Sequence, residues 1–346
     1  MNNKLVSISF PVYKVAAFVK KSLSSIINQT YKNIEIIIVD DCGNDNSMDI
    51  VRDFLANIKT NFLIQYIIFD KNHGLGNVRN VSIDKANGDY IYFMDSDDEL
   101  LPDTIEKLVK AMEEYPVDFV KASYRKIFLG QNRESEDYCF KSDKLINVND
   151  SLMDYCQHNL LSIPVYMWNS LYNIDFLRRN KIKCEQIYME DDMFSFNLLC
   201  KSKSCRLLPD VTYNYYIHSS SLTRTLASEN IPEKTGAIYA EIASMKYDII
   251  YSMNDDLTKG RLFVHLLGES IYKLYSIIMS NKISPSLKEK YQKQILSFPP
   301  LKFWGWNSMN LIEKIKLIYY YILSHLSYKV KIILINQLNF RFYKYK

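Results

Sequence analysis

The sequence predicts an α/β fold, a mostly parallel sheet with helices on both faces, followed by a helical C-terminal region. Three observations carry this. Near-continuous apolar runs of strand length alternate with stretches whose apolar residues fall at helical spacing, through residue 112. Apolar runs of that kind suit strands buried on both faces, as in parallel sheets. The alternation then stops, and from about Ile231 the pattern is helical.

Each element has its own signal. Residues 5–10 form a β-rich run that Pro11 is expected to end, and Val15, Val19, Leu23, Ile26 and Ile27 mark the helix after it. Residues 35–39 (EIIIV) read as the second strand, 40–46 (DDCGNDN) as a polar loop, and Ser47 as a cap for a helix carrying Val51, Phe54 and Leu55. The third cycle has a strand at 62–69 and a helix face of Leu75, Val78, Ser82 and Ala86; a fourth strand covers 90–94. Pro102 then suits a first helical turn, and Ile105, Leu108, Val109 and Met112 supply its stripe. In such sheets ligands bind beyond the carboxyl ends of the strands, so the polar loops at 11–13, 40–41 and 95–99 would share one rim.

Totals bound the function. The 346 residues carry 48% hydrophobic and 24% charged side chains, as a globular protein does, with 27 tyrosines. The net charge is +4, yet residues 311–346 hold seven Lys and Arg against one Glu, which leaves the remainder slightly acidic. That asymmetry suggests a basic end meeting an anionic surface. Six cysteines show no CxxC pair and no zinc spacing, and read as reduced thiols of a cytoplasmic protein. The first strand starts too early to leave room for a signal peptide, and the most apolar stretch, 317–328, is shorter than the about 20 residues a bilayer span needs.

The segment YIYFMDSDDEL (90–100) ends a core strand on Asp95, Asp97, Asp98 and Glu99. Carboxylates so crowded repel one another, so they hydrogen-bond at a helix start, face solvent, or share a cation. Glu99, with Asp98 as a second candidate, is expected to favour the start of the following helix, which leaves Asp95 and Asp97 for a divalent ion. The loop DDCGNDN reads equally as a turn.

Taken in order, SISFPVYKVAAFVKKSLSSIINQTYKNIEIIIVDD, NHGLGNVRN, GDYIYFMDSDD, MWNSLY, YMEDDMF and YIHSSSLTR resemble the family 2 glycosyltransferases of bacterial polysaccharide synthesis, over about residues 4–225. The resemblance implies a GT-A nucleotide-diphospho-sugar transferase domain over 1–228 and a helical region over 229–346. Pro11 and Tyr13 would line the nucleotide pocket, with Asp41, or failing it Asp40, accepting from the base and Arg79 beside it. Asp95 and Asp97 match the DxD pair that reaches the ribose and holds Mn²⁺ or Mg²⁺ on the diphosphate. Asp98 and Trp168 would lie near the donor sugar. Asp191 falls on the general base, and His218 and Arg224 in a flexible loop closing over the diphosphate. The chain departs from the family pattern at Cys42, Gly43, Asp192 and Ser170, the last standing where Lys or Arg is common.

Such a site implies direct displacement with inversion, from a UDP-sugar (or a GDP- or dTDP-sugar) to a glycan or polyprenyl-diphosphate-linked acceptor. The expected location is the cytoplasm, peripheral on the inner face of the cytoplasmic membrane through a basic amphipathic C-terminus. A helical subdomain with a solvated basic face fits the same residues. Nothing beyond FRFYKYK favours nucleic acid. The competing class is a non-catalytic nucleotide-sugar or glycan-binding protein. A nucleotidyltransferase should carry a Gly-rich phosphate loop after the first strand, and FPVYKVAAF has none.

Overall fold

Four parallel strands, β1 (Val6–Val12), β2 (Ile34–Asp40), β3 (Leu63–Ile68) and β4 (Tyr90–Phe93), form one half of a sheet in the order β3-β2-β1-β4. The computed structural model describes residues 4–149, 151–159, 161, 163–218, 230–296, 305–326, 330 and 333–334. By internal contacts the chain falls into two units, Met1–Leu152 with Pro164–His218, and Met153–Ile163 with Ser219–Lys346. The fold is thus a mixed, largely parallel α/β architecture, with helices following.

Helices α1 (Val19–Ile27), α2 (Ser47–Ala56), α3 (Leu75–Lys85) and α4 (Thr104–Glu114) separate the strands as the periodicity predicts. Two local expectations fail for physical reasons. Pro11 does not end β1; it continues the strand opposite Val39 of β2. On its other side β1 pairs with β4 only through Ser9, so a residue without an N–H costs little beyond that point. Glu99 does not enter a helix either. With Leu100 it forms a two-residue strand, β5 (Glu99–Leu100), antiparallel to Tyr213 and Asn214. Its carboxylate pairs with Lys21 Nζ at 2.7 Å and accepts from the Tyr216 hydroxyl at 2.6 Å.

The apolar run of β2 contains a fully buried Glu35. Its carboxylate accepts from the Ser7 hydroxyl, the Asn87 amide N–H and side chain, and Gln65 Nε2, and these bonds hold its pKa below the usual range although burial opposes them. A buried carboxylate so satisfied fixes β1, β2 and the turn before β4 together.

The second half of the sheet is antiparallel to the first at β9 (Ser170–Asn173), which lies between β4 and β6 (Phe119–Phe128). β10 (Ser204–Ile217) runs parallel to β6 with register shifts around Val211 and carries β5 on its far side. Short β7 (Glu136–Tyr138) and β8 (Lys144–Asn147) pair with β6 and β10. Helices α5 (Leu152–His158), α6 (Ile174–Arg179) and α7 (Glu190–Lys201) complete the described helices before residue 218. Asn169 enters β9 with φ +51, fully buried; its Nδ2 donates to the carbonyls of Ala122 and Ser123, and its Oδ1 accepts from the Thr212 hydroxyl at 2.7 Å. Asn tolerates the left-handed region better than most residues.

In the second unit α8 (Glu233–Ser252), α9 (Asp256–Met279) and α10 (Pro285–Ile295) pack on one another, and α11 (Leu311–His325) packs on α9. Arg261 of α9 pairs with Asp154 at 2.9 Å and Glu313 of α11 at 3.1 Å. Among the described helices α9 alone is long and apolar enough to cross a membrane, and 53% of its apolar window is buried within the protein.

Replacing Asn169 by Ala removes three buried hydrogen bonds and puts a less tolerant residue at positive φ. Chemical denaturation should show a loss of about 2–4 kcal/mol.

Candidate active site

The rim at the carboxyl ends of β1, β2 and β4 is built by close loop packing. Cys42 and Asn44 adopt positive φ, and a Cβ on Gly43 would stand 2.7 Å from the Lys14 amide nitrogen, so the loops after β1 and β2 touch where only glycine fits. Tyr13 is exposed on this rim, with Lys14 Nζ 5.2 Å from its ring centroid.

The two acids after β2 have different duties. Asp41 is buried; Oδ1 accepts from the His73 N–H at 2.6 Å, and Oδ2 from the Gly74 N–H at 3.0 Å and Asn72 Nδ2 at 2.9 Å. It holds the loop that starts α3, and burial raises its pKa against those bonds. Asp40 accepts from the Cys42 N–H through Oδ1, and its second oxygen carries no bond among the described residues.

Arg79 of α3 is the hub. Its guanidinium, 4% exposed, donates to Asp95 Oδ1 at 3.0 Å and to Glu190 Oε1 at 2.7 Å. Burial alone would favour the neutral form, but the two carboxylates outweigh it and raise the pKa. The neighbouring Asn80 exchanges two hydrogen bonds with the backbone of Cys184. On the same helix a Cβ at Gly76 would meet the Glu185 carbonyl at 2.9 Å and Glu190 Cβ at 3.3 Å. Helix α3 is therefore clamped against the segment leading into α7, and Arg79 ties the turn after β4 to the first residue of α7.

Within that turn Asp95, Asp97 and Asp98 diverge. Burial raises the Asp95 pKa to about 6, against the opposing pull of Arg79 and with the help of Asp97. Asp98 is buried; it accepts from the Tyr216 N–H at 2.7 Å and the Tyr213 hydroxyl at 2.8 Å, and burial pushes its pKa well up. Both its oxygens anchor the turn to β10. Asp97 has a side chain 33% exposed, and His218 Nε2 lies 3.1 Å from its Oδ2. His218 follows β10 directly and stacks on Phe18 at 4.5 Å. Arg224 lies outside the described residues.

Asp191 sits in the first turn of α7, where the helix dipole favours acids, and accepts from the Asp192 N–H. Burial, then the charge of Glu190, raises its pKa to about 7. Its charge also acts on Arg79, which places it beside the hub.

Trp168 is packed rather than open: its ring stacks on Tyr166 at 3.8 Å and Tyr213 at 4.8 Å. Lys121 was not singled out by sequence. It lies directly across from Ser170 in the β6–β9 register, fully buried, donating to Ser170 Oγ at 2.8 Å and the Tyr166 carbonyl at 2.7 Å. Burial holds its pKa well below the usual lysine range. A Lys in a strand reads as an ordinary surface residue until pairing is known, so only the cation missing at 170 could have pointed to it.

Among the described residues no group of three or more His, Cys, Asp or Glu is arranged to hold a metal alone. Asp95 and Asp97 each keep one carboxylate oxygen outside their bonds to Arg79 and His218, and carboxylate oxygen is the ligand type that Mg²⁺ and Mn²⁺ take.

The sheet thus carries the acidic turn after β4 and the acidic start of α7 on one rim, joined through Arg79. Residues 7–168 match the family model described as Glycosyl transferase family 2. The chain is 31% identical over 230 residues to the putative glycosyltransferase EpsH of Bacillus subtilis, covering 65% of this chain and 64% of that protein. It is 26% identical over 242 residues to the processive diacylglycerol beta-glycosyltransferase of Mycoplasma genitalium, covering 65% of this chain and 67% of that one. The fold is similar to that of S. aureus TarS 1–349 in complex with UDP-GlcNAc, with TM-score 0.62, 18% identity and coverage of 94% and 91%.

Removing the Arg79 guanidinium by Arg79→Ala leaves two carboxylates facing each other with no cation. A loss of about 3 kcal/mol is expected in denaturant melts, whereas a change under 1 kcal/mol would show the ion pairs to be incidental.

Proposed function

We propose that the chain is an inverting, metal-dependent glycosyltransferase that moves a sugar from a UDP-sugar to a hydroxyl of a glycan or lipid-linked acceptor, in cell-surface polysaccharide synthesis on the cytoplasmic side of the membrane. The observation that carries it is the Arg79 bridge, because it joins a metal-binding type of turn to the residue beside a base titrating near neutrality. The TarS complex contains UDP-GlcNAc, a mannosyltransferase from Pyrobaculum calidifontis of similar fold (TM-score 0.52) is in complex with GDP-Man and Mn²⁺, and the Mycoplasma relative is named for a β-linkage to diacylglycerol. These support the donor class, the metal and a β-linked product, which inversion would give from an α-linked donor.

In this reading Pro11, Tyr13 and Asp40 border the nucleotide, and Asp41 acts on it through the loop 72–74 that its carboxylate holds. Asp95 and Asp97 would hold Mn²⁺ or Mg²⁺, which supplies positive charge to the diphosphate as it leaves. Asp98 fixes the turn, and His218 holds Asp97. The acceptor oxygen attacks the anomeric carbon, the bond from that carbon to the phosphate oxygen breaks, and the hydroxyl proton passes to Asp191. Trp168 backs the sugar side through its stack rather than by an open face.

Three measurements test this. Asp191→Asn should cut transfer by at least about a hundredfold while calorimetric UDP binding persists. UDP affinity should rise with Mn²⁺ in the wild type and ignore it in Asp97→Ala; indifference in both would remove the metal assignment. Because Asp191 must be deprotonated to accept a proton and titrates at about 7, kcat/KM should climb through that pH and level off above it. Glu190→Gln removes the neighbouring negative charge, so the climb should move to lower pH.

A further inference from the structure

Helix α11 carries an uncovered apolar stripe on the side opposite its packed face. Leu311, Ile315, Ile318 and Ile322 follow at steps of four, three and four, which aligns them along one side of a helix. They are 72%, 57%, 41% and 51% exposed, whereas Leu317, which faces the other way, is fully buried. Ile312, 66% exposed, widens the stripe. Glu313, the only acid after residue 310, pairs with Arg261 on the packed side, and Lys314 and Lys316 flank the stripe on its two sides.

Soluble proteins seldom leave a row of large aliphatic side chains open to water, and such a row marks an interaction surface. Three occupants compete. As described, α11 has 15 residues that rise about 22 Å, less than a hydrocarbon core of about 30 Å, so this helix by itself lies along a bilayer more readily than across one. A second copy of α11 would form a seam of about two heptads, short for a coiled coil, and would set lysines against lysines with no acid to answer them. An anionic bilayer answers both features at once, because aliphatic side chains enter the acyl boundary while flanking lysines reach lipid phosphates. The charge of the whole segment points the same way, with seven Lys and Arg against one Glu over residues 311–346.

We propose that α11 lies in the plane of an anionic membrane, with Leu311, Ile315, Ile318 and Ile322 inserted and the lysines at the headgroups. This deepens the membrane-side reading above but does not depend on catalysis, since binding needs neither donor nor acceptor.

Flotation of the full chain with vesicles tests it. The wild type should float with phosphatidylglycerol-containing vesicles and at least about tenfold less with phosphatidylcholine alone, and roughly 0.5 M salt should weaken the binding. The exposed double substitution Ile315→Glu/Ile322→Glu should lose at least about tenfold in bound fraction with an unchanged circular dichroism spectrum, and Lys316→Glu should lose less. Equal flotation of the double variant, or no flotation of the wild type, overturns the proposal. So does a wild-type dimer in light scattering that the double substitution turns into a monomer, which would assign the stripe to a second copy. Nucleotide release from UDP-sugars in the same samples separates the two readings: flotation without turnover removes the transferase reading alone, and turnover without flotation removes this one.

Discussion

The site depends on one buried guanidinium. Arg79 reaches Asp95 on one side and Glu190 on the other, and without it the turn after β4 and the start of α7 would face each other as like charges. Burying a cation costs several kcal/mol unless its partners compensate, and here two carboxylates do. The surroundings serve that arrangement. Gly76 lets α3 approach the 185–190 segment, Asn80 pins Cys184, Asp41 caps the loop before α3, and Asp98 ties the acidic turn to β10. Four acids that look redundant in the sequence thereby divide into those that face outward and those that hold the frame.

The same arrangement sets the chemistry. A carboxylate works as a base near neutrality when its pKa lies close to the ambient pH, and Asp191 reaches that range through burial and through Glu190 beside it. Arg79 holds the Glu190 carboxylate in place beside Asp191, at 2.7 Å from its own Nη1. One ion-pair network thus positions the DxD turn and tunes the group across from it.

Much of this was legible in the sequence, and the failures are instructive. The β1–β4 cycles and the rim at 11–13, 40–41 and 95–98 follow from periodicity: β1, β2 and β4 are buried on both faces and leave an unbroken apolar record, while β3 at the sheet edge keeps Leu63, Tyr66 and Ile68 exposed. Pro11 and Glu99 depart from local rules because neighbouring strands decide their state: Pro11 sits where β4 has already ended, and Glu99 pairs with a strand more than a hundred residues away. Lys121 and Asn169 left almost no signal, since a buried Lys or a left-handed Asn is recognised only by the partner that pairing brings. The resemblance puts Asp98 near the donor sugar; that its carboxylate bonds to Tyr213 and Tyr216 of β10 was not legible, because sequence shows charge and not direction. In the C-terminal region the apolar and basic composition announced an amphipathic helix; which face is packed emerged only from Leu317 and Glu313.

The transfer step is most directly tested by the anomeric configuration of its product. A donor accepted from a panel of nucleotide sugars would be turned over in full and the first-formed glycoside examined by proton NMR. A single displacement, with Asp191 taking the acceptor proton on the face opposite the diphosphate, turns an α-linked donor into a β-glycoside. An α-glycoside as the first product would contradict that geometry and the role given to Asp191.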